Sequence, residues 1–311
     1  MTSSRPLLVA SDIDGTLIGS DHLLPAANRA VVEDIVSDGA SFVLATGRPP
    51  RWMPQIVDQL PVAPLAVCAN GAVIMDTDSG EFLATTLLQP EVLVELDEIL
   101  RERLPGSGIA AERLGRDAAD ADFVASPDYE HAWIALEHLE VGHEEVLSEP
   151  VLKLLARVPG MSSADMAAAL HGAVEHLADM TFSTTDGLIE FAPRGVTKAS
   201  GLTLLTSGEV TVPASARSAS ALVRAGGDAA GAVGAGSAVG AGGAAGGGVA
   251  ERQAPVTVAF GDMPNDLEML RWADHGVAMG NAIPSVHAVA DEVTLSNDEA
   301  GLAHVLRRWW V

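Results

Sequence analysis

Leu7-Leu8-Val9-Ala10-Ser11-Asp12-Ile13-Asp14-Gly15-Thr16 runs an apolar stretch straight into two carboxylates two residues apart. The stretch reads as a buried strand. Strand residues i and i+2 share a face, so Asp12 and Asp14 are expected to project into one crevice at its end. Two anions that close need a cation or a proton between them, and bound Mg²⁺ would meet that need. In such a site Asp12 attacks a phosphorus atom and Asp14 serves as acid, then as base. An Asp-Gly turn closing a strand accounts for the same residues without any chemistry, so the surroundings have to decide.

Those surroundings alternate strand and helix. Leu7 to Ala10, Ser41 to Ala45, Pro64 to Ala69 and Val256 to Phe260 are short apolar runs of the kind buried on both faces. Between the first two, Pro25 to Asp38 sets Ala26, Ala27, Ala30, Val31, Asp34 and Ile35 at helical spacing. Units of this kind predict an α/β fold with a parallel, doubly wound sheet and helices on both faces. Sites in such sheets lie at the carboxyl ends of the strands.

Residues 84–186 have another texture. Helices are expected over Glu91 to Leu104 and Ser162 to Leu177. Strands are expected over Ile109 to Leu114, Val151 to Val158 and Met180 to Thr184, followed by Leu188 to Ala192. That set makes a small α+β domain inserted into the first, leaving residues 1–83 and 187–311 as a discontinuous core. Within the core, residues 207–254 read as a flexible insertion, Gly and Ala rich from Ala225 to Ala250. That tract lacks Leu, Ile and Phe, which argues against a membrane span.

The chain of 311 residues is long enough for two domains, and its 48% hydrophobic content marks it as globular. A net charge of -24 excludes nucleic acid as a partner and disfavours an anionic membrane surface. A small phosphorylated substrate would have to be drawn in locally, by Mg²⁺ and a few placed cations. Cys68 is the only cysteine, which excludes an internal disulfide and fits a reducing cytoplasm. No signal-peptide pattern opens the chain.

Three further stretches carry chemistry. Thr46-Gly47-Arg48 follows the strand ending at Ala45, where a hydroxyl and a glycine amide can grip phosphate oxygens. Gly261-Asp262-Met263-Pro264-Asn265-Asp266 follows the strand ending at Phe260, and Asp262 and Asp266 can share the work of holding Mg²⁺. Lys198 opens a helical stretch and offers an ammonium to phosphate oxygens.

Taken in order, Asp12 to Thr16, Thr46, Lys198 and Gly261 to Asp266 resemble the four motifs of the haloacid dehalogenase superfamily. The resemblance spans nearly the whole chain. It is closest to the Cof-type members with a class IIB cap, supported by Asn70-Gly71-Ala72 after the third strand and by the long insertion between Gly47 and Lys198. It implies a Rossmann-like core and an α+β cap. It further implies an Mg²⁺-dependent phosphatase acting on a small phosphomonoester, a sugar phosphate or a phosphorylated cofactor precursor, through an aspartyl phosphate. In that scheme Asp12 is the nucleophile and Asp14 the general acid/base. Asp12, Asp14 (through its carbonyl, with Ile13 nearby), Asp262 and Asp266 surround the metal. Thr46, Gly47, Lys198 and Asn265 hold phosphoryl oxygens, with Arg48 and Asn70 on the substrate side. Ala199 departs from the glycine many relatives carry there. A phosphomutase or phosphotransferase of the same superfamily, or a catalytically silent binding protein, are the alternatives. The oligomeric state is not readable from the sequence.

Overall fold

A computed structural model describes residues 5–116, 122–130, 138–182, 186–212 and 256–311. The expected Gly/Ala insertion falls, from residue 213 to its end, outside the described residues. Strands in chain order are β1 (Leu8–Ser11), β2 (Ser41–Ala45), β3 (Leu65–Cys68), β4 (Val73–Asp76), β5 (Phe82–Thr85), β6 (Gly108–Arg113) and β7 (Phe123–Ala125), then β8 (Leu139–Glu140), β9 (Val151–Arg157), β10 (Asp179–Thr181), β11 (Leu188–Ala192), β12 (Thr257–Gly261), β13 (His275–Ala278) and β14 (Glu292–Val293). The α-helices are α1 (Ala26–Ser37), α2 (Pro54–Val57), α3 (Pro90–Arg103), α4 (His143–Val146) and α5 (Ser163–Leu170), then α6 (Lys198–Thr206), α7 (Leu267–Trp272), α8 (Pro284–His287) and α9 (Gly301–Leu306).

The chain divides into two compact units. The first comprises Met1–Leu44, Gln59–Leu65 and Leu202–Val311, and the second Ala45–Asp58 and Ala66–Gly201. In the first unit the strand order is β14-β13-β12-β1-β2, and every pairing is parallel. β1, β2 and β12 are buried along their whole length, as the uninterrupted apolar runs require of strands covered on both faces. Helix α1 turns Val31, Val32 and Ile35 inward and buries Asn28 among them. That asparagine is satisfied at both ends: its Nδ2 donates to the Leu17 carbonyl (2.9 Å) and its Oδ1 accepts from the Ala303 N–H (3.1 Å).

The second unit holds the antiparallel hairpin β4–β5 and a six-stranded sheet ordered β10-β11-β9-β6-β7-β8, antiparallel except for β7 with β8. The sheet has two distinct faces. Ile109, Leu154, Ala156, Ile189 and Phe191 pack with Leu93, Leu96 and Leu100 of α3 and with Met166 and Leu170 of α5. The alternate residues Glu112, Lys153 and Glu190 therefore point the other way. The chain is thus an α/β protein with parallel strands interleaved by helices and a second, α+β sheet assembly. Among the described residues no helix is long and apolar enough to cross a membrane.

Two expectations are corrected. The helix expected over Ser162 to Leu177 stops at Leu170. Ser162 caps its start by accepting from the Asp165 N–H, and Gly172 at φ +78° ends it, with the Glu175 carboxylate taking the N–H groups of Gly172 and Val174. The shared strand face for Asp12 and Asp14 also fails, because β1 ends at Ser11 and the backbone turns immediately after. Asp12 is buried and Asp14 exposed.

Candidate active site

At the carboxyl ends of β1 and β12 in the first unit, carboxylate oxygens of Asp12, Asp262 and Asp266 lie within 4.8 Å of one another, and all three residues are buried. The parallel pairing of Ser11 with Phe260 puts both strand ends at one level, and the Asp12 N–H donates to the Phe260 carbonyl at 3.0 Å. Asp266 is held by its own loop: its Oδ2 accepts from the backbone N–H groups of Asp262 and Met263, each at 3.0 Å. The Thr16 hydroxyl donates to Asp262 Oδ1 at 2.9 Å. The Asp14 carboxylate does not belong to this group.

Gly15 makes the arrangement sterically feasible. Its φ of +76° favours glycine, and a Cβ there would stand 2.3 Å from Asp262 Oδ2. Asn281, just beyond β13, donates from Nδ2 to the Gly15 carbonyl at 2.8 Å while its Oδ1 accepts from the Asn297 N–H at 2.9 Å. Asn265 is exposed on the loop that bears Asp266, and Ile13 is fully buried. Three buried carboxylates repel one another unless a cation or protons intervene, and an all-oxygen donor set suits a hard divalent ion.

The remaining residues singled out from the sequence belong to the second unit. Thr46 is buried, and Gly47 and Arg48 are partly so. Their loop is bonded to the one after β3: the Thr46 N–H donates to the Val67 carbonyl (2.8 Å), the Asn70 N–H to the Thr46 carbonyl (2.9 Å) and the Ala69 N–H to the Arg48 carbonyl (2.9 Å). Ala69, Asn70 and Gly71 take φ values of +49°, +54° and +108° in succession, a costly backbone state of the sort that clusters at functional loops. A Cβ on Gly71 would sit 2.2 Å from the Thr197 carbonyl oxygen, so the start of α6 touches this turn backbone to backbone. Thr197 caps α6 by accepting on Oγ1 from the Ser200 N–H, which leaves Lys198 in the first turn, 1% exposed. An ammonium so thoroughly buried requires acceptors around it.

Residues beyond those given roles from the sequence also shape the two regions. Thr16, Gly15 and Asn281 order the carboxylates of the first unit. In the second, the Lys153 ammonium donates to Glu190 Oε2 (2.7 Å) and to the Gly47 carbonyl (3.3 Å), while Arg51 grips Glu112 through Nε (2.6 Å) and Nη2 (3.0 Å). Burial pushes the Glu112 carboxyl up, against the downward pull of Arg51. Burial alone pushes the Cys68 thiol far above its usual range, which makes it an inert core residue. Gly15 and Thr16 carried a signal as members of the Asp12 to Thr16 motif, whereas Asn281 and Lys153 carried none.

The profile of the haloacid dehalogenase-like hydrolases matches residues 9–209 and 253–306. Phosphatase YwpJ of Bacillus subtilis is 27% identical over 309 residues, covering 96% of this chain and 98% of its own. The 5-amino-6-(5-phospho-D-ribitylamino)uracil phosphatase YitU of the same organism is 27% identical over 322 residues, covering 99% and 98%. Among solved structures, the subclass IIB sugar phosphatase BT4131 superposes with a TM-score of 0.66 at 18% identity, over 98% of this chain and 99% of that one, a likeness of fold.

Proposed function

We propose, from the premise that this chain belongs to the haloacid dehalogenase-like hydrolase family, that it is an Mg²⁺-dependent phosphatase of small organic phosphomonoesters. The observation that carries the reading is the buried group of Asp12, Asp262 and Asp266 carboxylates at the ends of two adjacent parallel strands. Those three residues would hold Mg²⁺, with the Asp14 carbonyl completing the protein's share. The ion, when bound, neutralises the crowded anions and the phosphoryl charge.

Asp12 acts as nucleophile: one carboxylate oxygen bonds to phosphorus as the bond to the ester oxygen breaks. Asp14, exposed beside it in sequence, hands a proton to the departing alkoxide. It then takes a proton from the water that attacks the aspartyl phosphate, which releases inorganic phosphate and restores Asp12. Ile13 contributes backbone alongside. Thr46, Gly47, Lys198 and Asn265 bind phosphoryl oxygens, with Arg48 and Asn70 toward the alcohol portion. Residues 84–186 serve as the cap. The relatives named for a phosphoribityl-aminouracil and for a sugar support a phosphorylated cofactor precursor or a sugar phosphate as substrate.

The test is release of inorganic phosphate from a panel of phosphorylated metabolites and p-nitrophenyl phosphate, with Mg²⁺ and after chelation. Turnover that survives chelation, or phosphoryl transfer to an alcohol without free phosphate, would sink the reading.

A further inference from the structure

The second unit contains a charged network that the catalytic scheme leaves unused. Lys153 on β9 and Glu190 on β11 lie on the sheet face that turns away from α3 and α5, and both side chains are mostly buried. Glu112 stands directly across from Lys153 in the β6–β9 ladder and is itself paired with Arg51. The two cations and two anions balance, Lys153 against Glu190 and Arg51 against Glu112. One of its donors leaves the sheet and reaches the Gly47 carbonyl.

That carbonyl and the Arg48 N–H are the two ends of one peptide group. The Arg48 N–H in turn donates to Thr46 Oγ1 at 3.1 Å. The bonds thus run in series, from ammonium to carbonyl and from amide to hydroxyl oxygen. A cation on the carbonyl draws electron density along the peptide and strengthens the N–H as a donor. A hydroxyl oxygen that is already accepting has its own proton left to give, and its rotation is restricted to directions away from that N–H. The backbone bonds from this loop to β3 and the turn after it run through main-chain atoms and do not reach the side chain of Thr46.

We infer that Lys153 is a positioning residue: held by Glu190, its ammonium polarises the Gly47–Arg48 peptide and thereby sets the Thr46 hydroxyl as a donor to the substrate's phosphoryl oxygens. The inference rests on the proposed phosphate-binding role of Thr46.

A thermodynamic cycle tests it. Lys153→Met combined with Glu190→Gln removes the pair without stranding a buried charge, and Thr46→Val removes the hydroxyl. Kinetics with p-nitrophenyl phosphate and inhibition by inorganic phosphate are measured for the wild type, the paired variant, Thr46→Val and their combination. The paired variant should lower kcat/KM and raise the phosphate inhibition constant by about three- to tenfold, the worth of one hydrogen bond. In the Thr46→Val background the same replacement should change either constant by less than about twofold. Equal losses in both backgrounds would overturn the inference while leaving phosphate binding by Thr46 intact, as would wild-type constants in the paired variant. Wild-type kcat/KM in Thr46→Val would instead remove the reading on which it rests. Should the paired variant fail to fold, Lys153→Gln combined with Glu190→Gln, which keeps a neutral donor and strands no charge, enters the same cycle with the same expectations.

Discussion

The carboxylate end of the first unit and the Thr46 loop of the second are held by different kinds of contact, strand register and a short turn in the one, loop-to-loop bonds and a side chain in the other. Asp12 and Asp262 stand one residue past the ends of β1 and β12, and Asp266 is fixed by N–H groups three and four residues away. Thr46 to Arg48 are tied instead to Val67, Ala69 and Asn70, and to a lysine 106 residues on. An anion cluster assembled by strand ends and short turns is robust once the sheet forms. A hydroxyl and peptide loop oriented by remote side chains can be detuned by a change far from it, without unfolding anything.

The sharpest break of that contrast is Asp12→Asn. It should cut turnover by about 10³-fold or more, yet raise thermal stability or leave it unchanged, because one of three crowded buried anions is gone. A melting curve and phosphate release on one preparation decide it, and substantial residual turnover would disprove the nucleophile. Next comes Lys198→Ala, expected to lower kcat/KM by about 10²-fold. Lys198 is among the largest fully buried side chains, so some loss of stability accompanies the change; unchanged kcat/KM in the folded variant would count against the assignment.

Gly15→Ala should act more gently and locally. The strained φ costs about 1 kcal/mol, and displacement of the Asp262 carboxylate should weaken Mg²⁺ activation by roughly 10-fold or more, read from the Mg²⁺ dependence of turnover. The smallest effect lies away from both regions. Arg308 and, to a lesser degree, His275 hold the Glu292 carboxyl below its ordinary value. A depressed carboxylate stabilises the fold fully above its unfolded pKa of about 4.3 and loses that contribution as pH falls through the lower folded value. Melting temperatures of wild type and Glu292→Gln should therefore differ by their widest margin at about pH 5 and converge on acidification.

The same contrast explains what could be read beforehand. Ser41 to Ala45 and Leu188 to Ala192 coincide with β2 and β11, because an apolar run bounded by polar turns is a local signal. Asp12, Asp262 and Asp266 were legible as acids at the tips of such runs. The hairpin β4–β5 was not read, since Asp76 organises its turn by accepting from the Asp78 N–H and the Ser79 hydroxyl, a detail with no periodicity. Strand β14 is two residues long and exists only through its pairing with β13. Asn281 acts on Gly15 across 266 residues, and Lys153 on Gly47 across 106, so neither role is visible until the register of distant strands is known.

The meeting of Gly71 with Thr197 has a consequence for how such a molecule can change over time. The polypeptide leaves the turn after β3 and comes back to the same spot about 125 residues later, where the two backbones abut too closely for any side chain at position 71. The contact closes a loop of that length, and the entropy of closing it grows only slowly with the number of residues inside. Changes of length at exposed turns within the loop should be tolerated far better than any side chain at position 71.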